Sequence, residues 1–323
     1  MFRTEISIPD SPFKIGHNSQ IVTIGSCFSD RMGQYLIDNK FRALANPFGV
    51  IFNPISIFKL LENTIDIESP NRSGYVKSDG LFKHLDFHSD FAGYSTFEVE
   101  QDILEALTNA HSFLKNTDVI IVTLGSAIVY EYLKTSHTVA NCHKISQKEF
   151  KKVKIYSTQI TEAFTKFYHK LSAFNSRVQI ILTVSPVRHI KDTLMENSAS
   201  KAILRSTCDE LFNNHKKVSY FPSYEIMLDD LRDYRFYSED MLHPSITAEQ
   251  YIWNKFAKTY FTEKSLLLIK EWNKVRKAIH HIPLNPKSKA HQKFVSETII
   301  KVQQFSNRFD VSNELDILKR QLI

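Results

Sequence analysis

The chain has 323 residues, enough for one large domain or two modest ones with an ample core. Its 42% hydrophobic and 24% charged content is that of a soluble globular protein, and 8 Gly and 10 Pro argue against low complexity or extended disorder. The net charge of +6 belongs to the tail, where residues 263–323 carry 12 Lys/Arg against 6 Asp/Glu; residues 1–262 carry 29 against 29, so charge assigns no nucleic acid to the main body.

The N-terminus (Met1-Phe2-Arg3-Thr4-Glu5) lacks a basic-then-apolar signal pattern, and no apolar run reaches membrane-spanning length. The reading is a cytoplasmic chain without a membrane span. Cys27, Cys142 and Cys208 are an odd, widely spaced set with no CxxC, which speaks against a disulfide framework and a structural zinc site. The 24 Phe point to thick aromatic packing or an aromatic-lined pocket.

Residues 1–20 alternate polar and apolar around Pro9, Pro12 and Gly16, as an edge strand or a wrapping arm would. Ile21-Val22-Thr23-Ile24 reads as a buried strand that Gly25 ends, and a helix follows over Asp30 to Asn39. A strand that turns at once into a helix leaves Ser26 and Cys27 at its carboxyl end, beside the helix's free N–H groups. In an open α/β sheet that edge is the ligand crevice, and a hydroxyl or thiol there can attack a carbonyl. The alternative is a structural turn in which Ser26 merely caps the helix.

Asn53-Pro54 is a helix start, with Ile57, Phe58, Leu60, Leu61 and Ile65 supplying the apolar face. Residues 66–100, rich in Ser, Asp, Gly and aromatics, read as an irregular excursion lining a pocket. A helix over Ile103 to Leu114 leads into a second strand, Val119 to Leu124, ending in Gly125-Ser126. Ser146-x-x-Glu149 has the form of a capping box opening the stretch 146–174. A third strand over Val178 to Val184 ends at Ser185-Pro186, a helix follows over about 197–214, and a fourth strand, Val218 to Phe221, ends at Pro222-Ser223. Continuous apolar strands alternating with helices predict a parallel sheet covered on both faces. A helix begins at Thr247, and Ser265–Ile279 and Val295–Phe305 form helices around a joint near Pro283. The expected organisation is therefore a main domain over 1–262 and a basic helical appendage over 263–323.

Asp240-Met241-Leu242-His243 is the second informative cluster. An Asp three residues before a His can share one loop with it, accept from one imidazole nitrogen and aim the other at a nucleophile. His84 and His88 stand four apart, but no Glu or Cys completes a metal site. Phosphate-loop and dinucleotide glycine motifs are absent, so no cofactor is expected.

Gly25-Ser26-Cys27-Phe28-Ser29 resembles the motif that names the GSCFA family of bacterial proteins. Asn46-Pro47-Phe48-Gly49, Thr123-Leu124-Gly125-Ser126-Ala127, Asn141-Cys142-His143-Lys144, Ser185-Pro186-Val187-Arg188 and Asp240-x-x-His243 are similar to its further blocks, over residues 18–255. That family looks related to the SGNH (GDSL-like) hydrolases, which cut acyl esters or transfer acyl groups. The resemblance implies a three-layer α/β/α fold with a mostly parallel, flavodoxin-like sheet. It implies a nucleophile at Cys27 or Ser26, a catalytic His243 oriented by Asp240, and an oxyanion donor at Gly49. The pattern expects Asn at position 127, where this chain has Ala; Ser126 and Asn141 are the substitutes considered. Arg188, Lys201 and His143 are candidates for holding an anionic part of a substrate, the alternative being ordinary surface charge.

Three functions follow. The first is an acyl-transfer enzyme, an esterase or O-acyltransferase, acting on a small-molecule or glycan ester, with acyl-CoA as a donor if it transfers. An aromatic lining drawn from residues 75–97 would favour transfer by excluding water. The second is a fold relative that binds a glycan or anion without turnover, suggested by Ala127. The third gives the basic tail an interaction role, for which its sparse aromatics offer little base-stacking capacity.

Overall fold

The computed structural model describes residues 4–322. In chain order the elements are β1 (Gln20–Gly25), α1 (Cys27–Asp38), β2 (Arg42–Ala45), α2 (Pro54–Ile65), β3 (Tyr75–Ser78), β4 (Leu81–His84), β5 (Ala92–Gly93) and α3 (Thr96–Leu114). They continue with β6 (Val119–Leu124), β7 (Ile128–Tyr132), β8 (His137–Val139), β9 (Phe150–Lys154), α4 (Ser157–Phe174), β10 (Gln179–Val184), α5 (Thr193–Asn214) and β11 (Val218–Tyr220). A single turn α6 (Ser223–Glu225), then α7 (Ile246–Tyr260), α8 (Glu263–Ile279), α9 (Lys289–Gln303) and α10 (Ser312–Lys319) complete the chain.

The central sheet has the order β11-β10-β6-β1-β2, every pair parallel. Its inner strands bury both faces because successive side chains point opposite ways. Val22, Ile24, Ile120, Val122, Ile180 and Leu182 pack on one side with residues of α2, α3, α4 and α5. Ile21, Val119, Ile121 and Ile181 pack on the other with α1 and α7. This is the expected three-layer α/β/α architecture.

Two small antiparallel sheets flank it, β3-β4-β5 and β8-β7-β9. Both correct expectations. Residues 75–93 are a hairpin-based sheet, and its aromatics serve the core: Phe87 is buried, and Tyr75, Phe82 and Phe91 pack against the same side as α2. Ser146 opens a 3-10 turn and then β9, with Ser146 Oγ accepting from Lys148 N; the helix starts only at Ser157.

The N-terminal segment is a wrapping arm: Ile15 N donates to Tyr260 O at 2.7 Å, and Thr262 N returns a bond to Ile15 O. The helices α8–α10 share their own apolar cluster around Trp272, Val295 and Val302. They meet the body at the far end of α1, where Trp272 Nε1 donates to Asp38 O at 2.9 Å, Arg276 pairs with Asp38, and Lys40 pairs with Glu314. Among the described residues no helix is long and apolar enough to cross a membrane.

Candidate active site

Gly25 makes the turn that carries the first candidate. Its φ is +141°, and a Cβ there would fall 2.1 Å from Thr123 O, so glycine alone lets β1 close against β6 before the chain swings into α1. The helix begins at Cys27, earlier than the apolar periodicity suggested, with Ser26 as its N-cap. Ser26 is fully buried, makes no side-chain cap and is absent from the lining of the cavity that Cys27 reaches; its N–H goes to Thr123 O. Cys27 lines a cavity of about 710 Å³ at the carboxyl edge of the sheet. Between the two candidate nucleophiles, Cys27 is the one with access.

Burial raises the Cys27 thiol above its ordinary value, and the N–H groups of Phe28 and Cys27, the first of α1, pull less strongly the other way. A helix N-terminus by itself favours a lowered thiol pKa; here desolvation outweighs it. The resting group is a thiol, and attack requires a base.

His243 lines the same cavity. Its Nδ1 lies 2.6 Å from Asp240 Oδ2, while Asp240 Oδ1 accepts from the N–H groups of Leu242 and His243 at 2.8 and 3.0 Å. Those backbone bonds and the imidazole hold the Asp240 carboxyl down to about 2. The loop is fastened to the end of β10: Arg188 N donates to Leu242 O, and the Arg188 side chain reaches Met241 O. The guanidinium carbon lies 3.9 Å from the centre of the Tyr237 ring. Arg188 borders the cavity, but these contacts give it a part in shaping the histidine loop.

The remaining candidates fall in different places. Gly49 has φ +74° in a turn, donates its N–H to Asn46 O at 2.8 Å, and does not line the cavity, so it is not free as an oxyanion donor. Asn141 lines the cavity with both ends engaged: Oδ1 accepts from His143 N, and Nδ2 donates to Ser89 Oγ. His143 is buried, its Nε2 2.8 Å from His84 O, and burial lowers its pKa. Ser126 reaches the cavity, and its Oγ accepts from Ile128 N. Ala127 belongs to the apolar core, so an Asn side chain there would face away from the cavity.

Lys201 departs furthest from expectation. It is 1% exposed, and its Nζ donates to Gly125 O at 2.8 Å and Ser185 O at 2.7 Å. It ties the ends of β6 and β10 together beneath the crevice and is not a surface charge for an anionic substrate. Burial pushes it down to about 7, against the pull of Cys27.

One residue escaped the sequence reading. His189, next after Arg188, lines the cavity with Cys27 and His243. Its backbone N–H is held by Asn197 Oδ1 at 2.9 Å, and its ring stands edge-on to Phe52 at 5.3 Å. Burial first, then Lys201, pushes its pKa down to about 4. The only sequence signal was its place in the run that follows the third strand. The aromatics of 75–97 line no part of this cavity; its apolar walls come from Phe52, Val187 and the β7–β8 hairpin with Ile128, Val129, Tyr130 and Val139. Among the described residues no group of three or more His, Cys, Asp or Glu is placed to hold a metal ion.

The chain is similar to the carbohydrate esterase family 2 enzyme of Corynascus thermopiles (Myceliophthora fergusii), with 12% identity, 81% of this chain and 69% of that one covered, and a TM-score of 0.38. It is similar to a carbohydrate esterase family 3 protein from Talaromyces cellulolyticus, with 11% identity, coverage of 78% and 99%, and a TM-score of 0.32. A third likeness is the acetyl xylan esterase Est2A from the rumen bacterium Butyrivibrio proteoclasticus, with 11% identity, coverage of 75% and 63%, and a TM-score of 0.36. No curated protein matches the chain. The sequence profile of the GSCFA family matches residues 20–256, and that of the GSCFA domain protein C-terminal domain matches residues 272–323. With most of its length so matched, the chain belongs to the GSCFA family.

Proposed function

We propose that this protein is an SGNH-type acyl-transfer enzyme that cleaves or transfers the acyl group of a small-molecule or glycan ester through Cys27. The observation that carries the reading is a single cavity lined both by an accessible cysteine and by a histidine braced on an aspartate. Cys27 Sγ attacks the ester carbonyl while its proton passes to the free nitrogen of His243, and the carbonyl π pair moves onto oxygen. Collapse of that intermediate breaks the C–O bond, and the leaving alkoxide takes the proton from His243. Water, or an acceptor hydroxyl, then attacks the thioester, gives its proton to His243 and releases the acyl group; the thiolate leaves and recovers the proton. Asp240 holds the imidazole orientation and stays ionised throughout.

The crevice edge, the mixed apolar and basic lining and the fixed histidine loop support this reading. A binding protein without turnover is the second reading, favoured by the engagement of Gly49 N–H and both ends of Asn141. Turnover of p-nitrophenyl acetate separates them. Cys27→Ala and His243→Ala are expected to lose at least ~10³-fold in kcat/KM while Ser26→Ala retains turnover, and mass spectrometry is expected to find the acyl adduct on the Cys27 peptide. Full activity in Cys27→Ala would end the proposal.

A further inference from the structure

An acyl-transfer site needs donors aimed at the developing oxyanion, and most candidates here are committed elsewhere. Gly49 N–H closes its own turn, Asn141 is engaged at both ends, and the Lys201 ammonium spans two carbonyls. Position 127 packs its side chain into the core, and its N–H goes to Ser200 Oγ at 2.7 Å. The N–H groups of Cys27 and Phe28 lie against the thiol itself.

His189 is placed differently. Phe52 O accepts from the N–H groups of both Gly125 and Ser126, which pins Phe52 onto the end of β6. The His189 ring packs edge-on against Phe52, and the Asn197 bond to its backbone fixes where the ring emerges. The imidazole is thus linked, through Phe52, to the segment from which the family pattern draws its side-chain donor. Its Nε2 is buried and has no hydrogen-bond partner. A buried polar atom without a partner is costly, and in a residue that lines the cavity it is suited to a partner that arrives with the substrate.

Resting on the acyl-transfer reading, we infer that His189 is the oxyanion donor of this site, its Nε2–H taking the part that position 127 cannot play. The charged and titratable groups around the ring are Lys201, Asp192 and His243, and burial, the largest effect, outweighs Asp192 to keep the ring neutral at physiological pH. A neutral imidazole carries one N–H and can donate it without surrendering it. During attack on the ester, the carbonyl oxygen gains the electron pair and accepts the His189 hydrogen bond, which is released when the carbonyl re-forms. His243 alone exchanges a proton, so the two histidines divide donation from acid–base work.

The test measures kcat and KM for p-nitrophenyl acetate in wild type, His189→Leu, His189→Gln and Cys27→Ala, with thermal unfolding of each. His189→Leu is expected to lose ~10²–10³-fold in kcat with KM within about threefold, the cost of one such donor. His189→Gln, which restores an N–H at similar reach, is expected to recover at least about tenfold of that loss. The ratio of wild-type to His189→Leu kcat is expected to stay flat from about pH 6 to 9, since a donor that keeps its proton adds no titration limb. A His189→Leu protein within threefold of a Cys27-dependent wild type overturns this assignment and leaves the acyl-transfer reading standing. Equal loss in the Leu and Gln variants, or loss of one limb of the pH profile, also overturns it. A wild type no faster than Cys27→Ala overturns both readings.

Discussion

At Cys27 two opposing effects meet: the first amides of α1 favour a thiolate, and burial disfavours it more strongly. An acid whose folded pKa is raised keeps its proton to higher pH, so alkylation must follow a curve displaced upward. Iodoacetamide labelling of Cys27, followed by peptide mapping to separate it from Cys142, is expected to accelerate with a midpoint above the ordinary 9.0; a plateau reached by pH 8 would contradict the burial argument. The residue scale also separates what sequence can carry from what it cannot. Asp240 and His243 were legible because their partnership is local, one loop and three residues. Lys201 resembled any helix-surface cation, because its two carbonyl partners come from strand ends 76 and 16 residues away and leave no local trace. His189 was invisible for the same reason: the Phe52 edge that orients it comes from the loop before α2.

At the scale of elements, the four inner and edge strands β1, β6, β10 and β11 were readable as apolar runs, since a strand buried on both faces needs no polar alternation. The short strands were not. β2 and β3 are half-exposed, and β9 reads Phe-Lys-Lys-Val-Lys directly after a false capping box, so only pairing with β7 defines it. Yet that added sheet builds one wall of the cavity. Asn53 couples it to the body: Oδ1 caps α2 through Ser56 N at 2.8 Å, and Nδ2 donates to Val139 O at 3.2 Å. Asn53→Ala removes both at once and is expected to cost about 2 kcal/mol in urea unfolding, more than a cap alone. Asn53→Asp keeps the cap and should lose about half as much; equal losses would show that the bond to β8 is worth nothing.

Across the whole molecule, the basic tail was legible as helical, and its charge suggested a partner in solution. The contacts that join α8–α10 to the body use few of those charges: Arg276 pairs with Asp38, the tail's Glu314 pairs with Lys40, and the buried Trp272 bonds to Asp38 O. Trp272 also stacks edge-on with Phe305 and Phe309, so one ring joins the tail's own cluster to the end of α1. Trp272→Ala is expected to destabilise the protein by about 3–5 kcal/mol in denaturant unfolding, the range for a large buried aromatic. A loss under about 1 kcal/mol would mean that the tail merely leans on the body.

The grip of Trp272 on Asp38 also reaches the far end of the same helix. α1 has 12 residues, a stiff rod about 18 Å long, with Cys27 at one tip and the clamp at the other. Packed helices shift as units, so slack at the clamped tip becomes tilt at the other. The tail is then a footing for Cys27, and alkylation of that thiol should report, from across the molecule, whether the footing is sound.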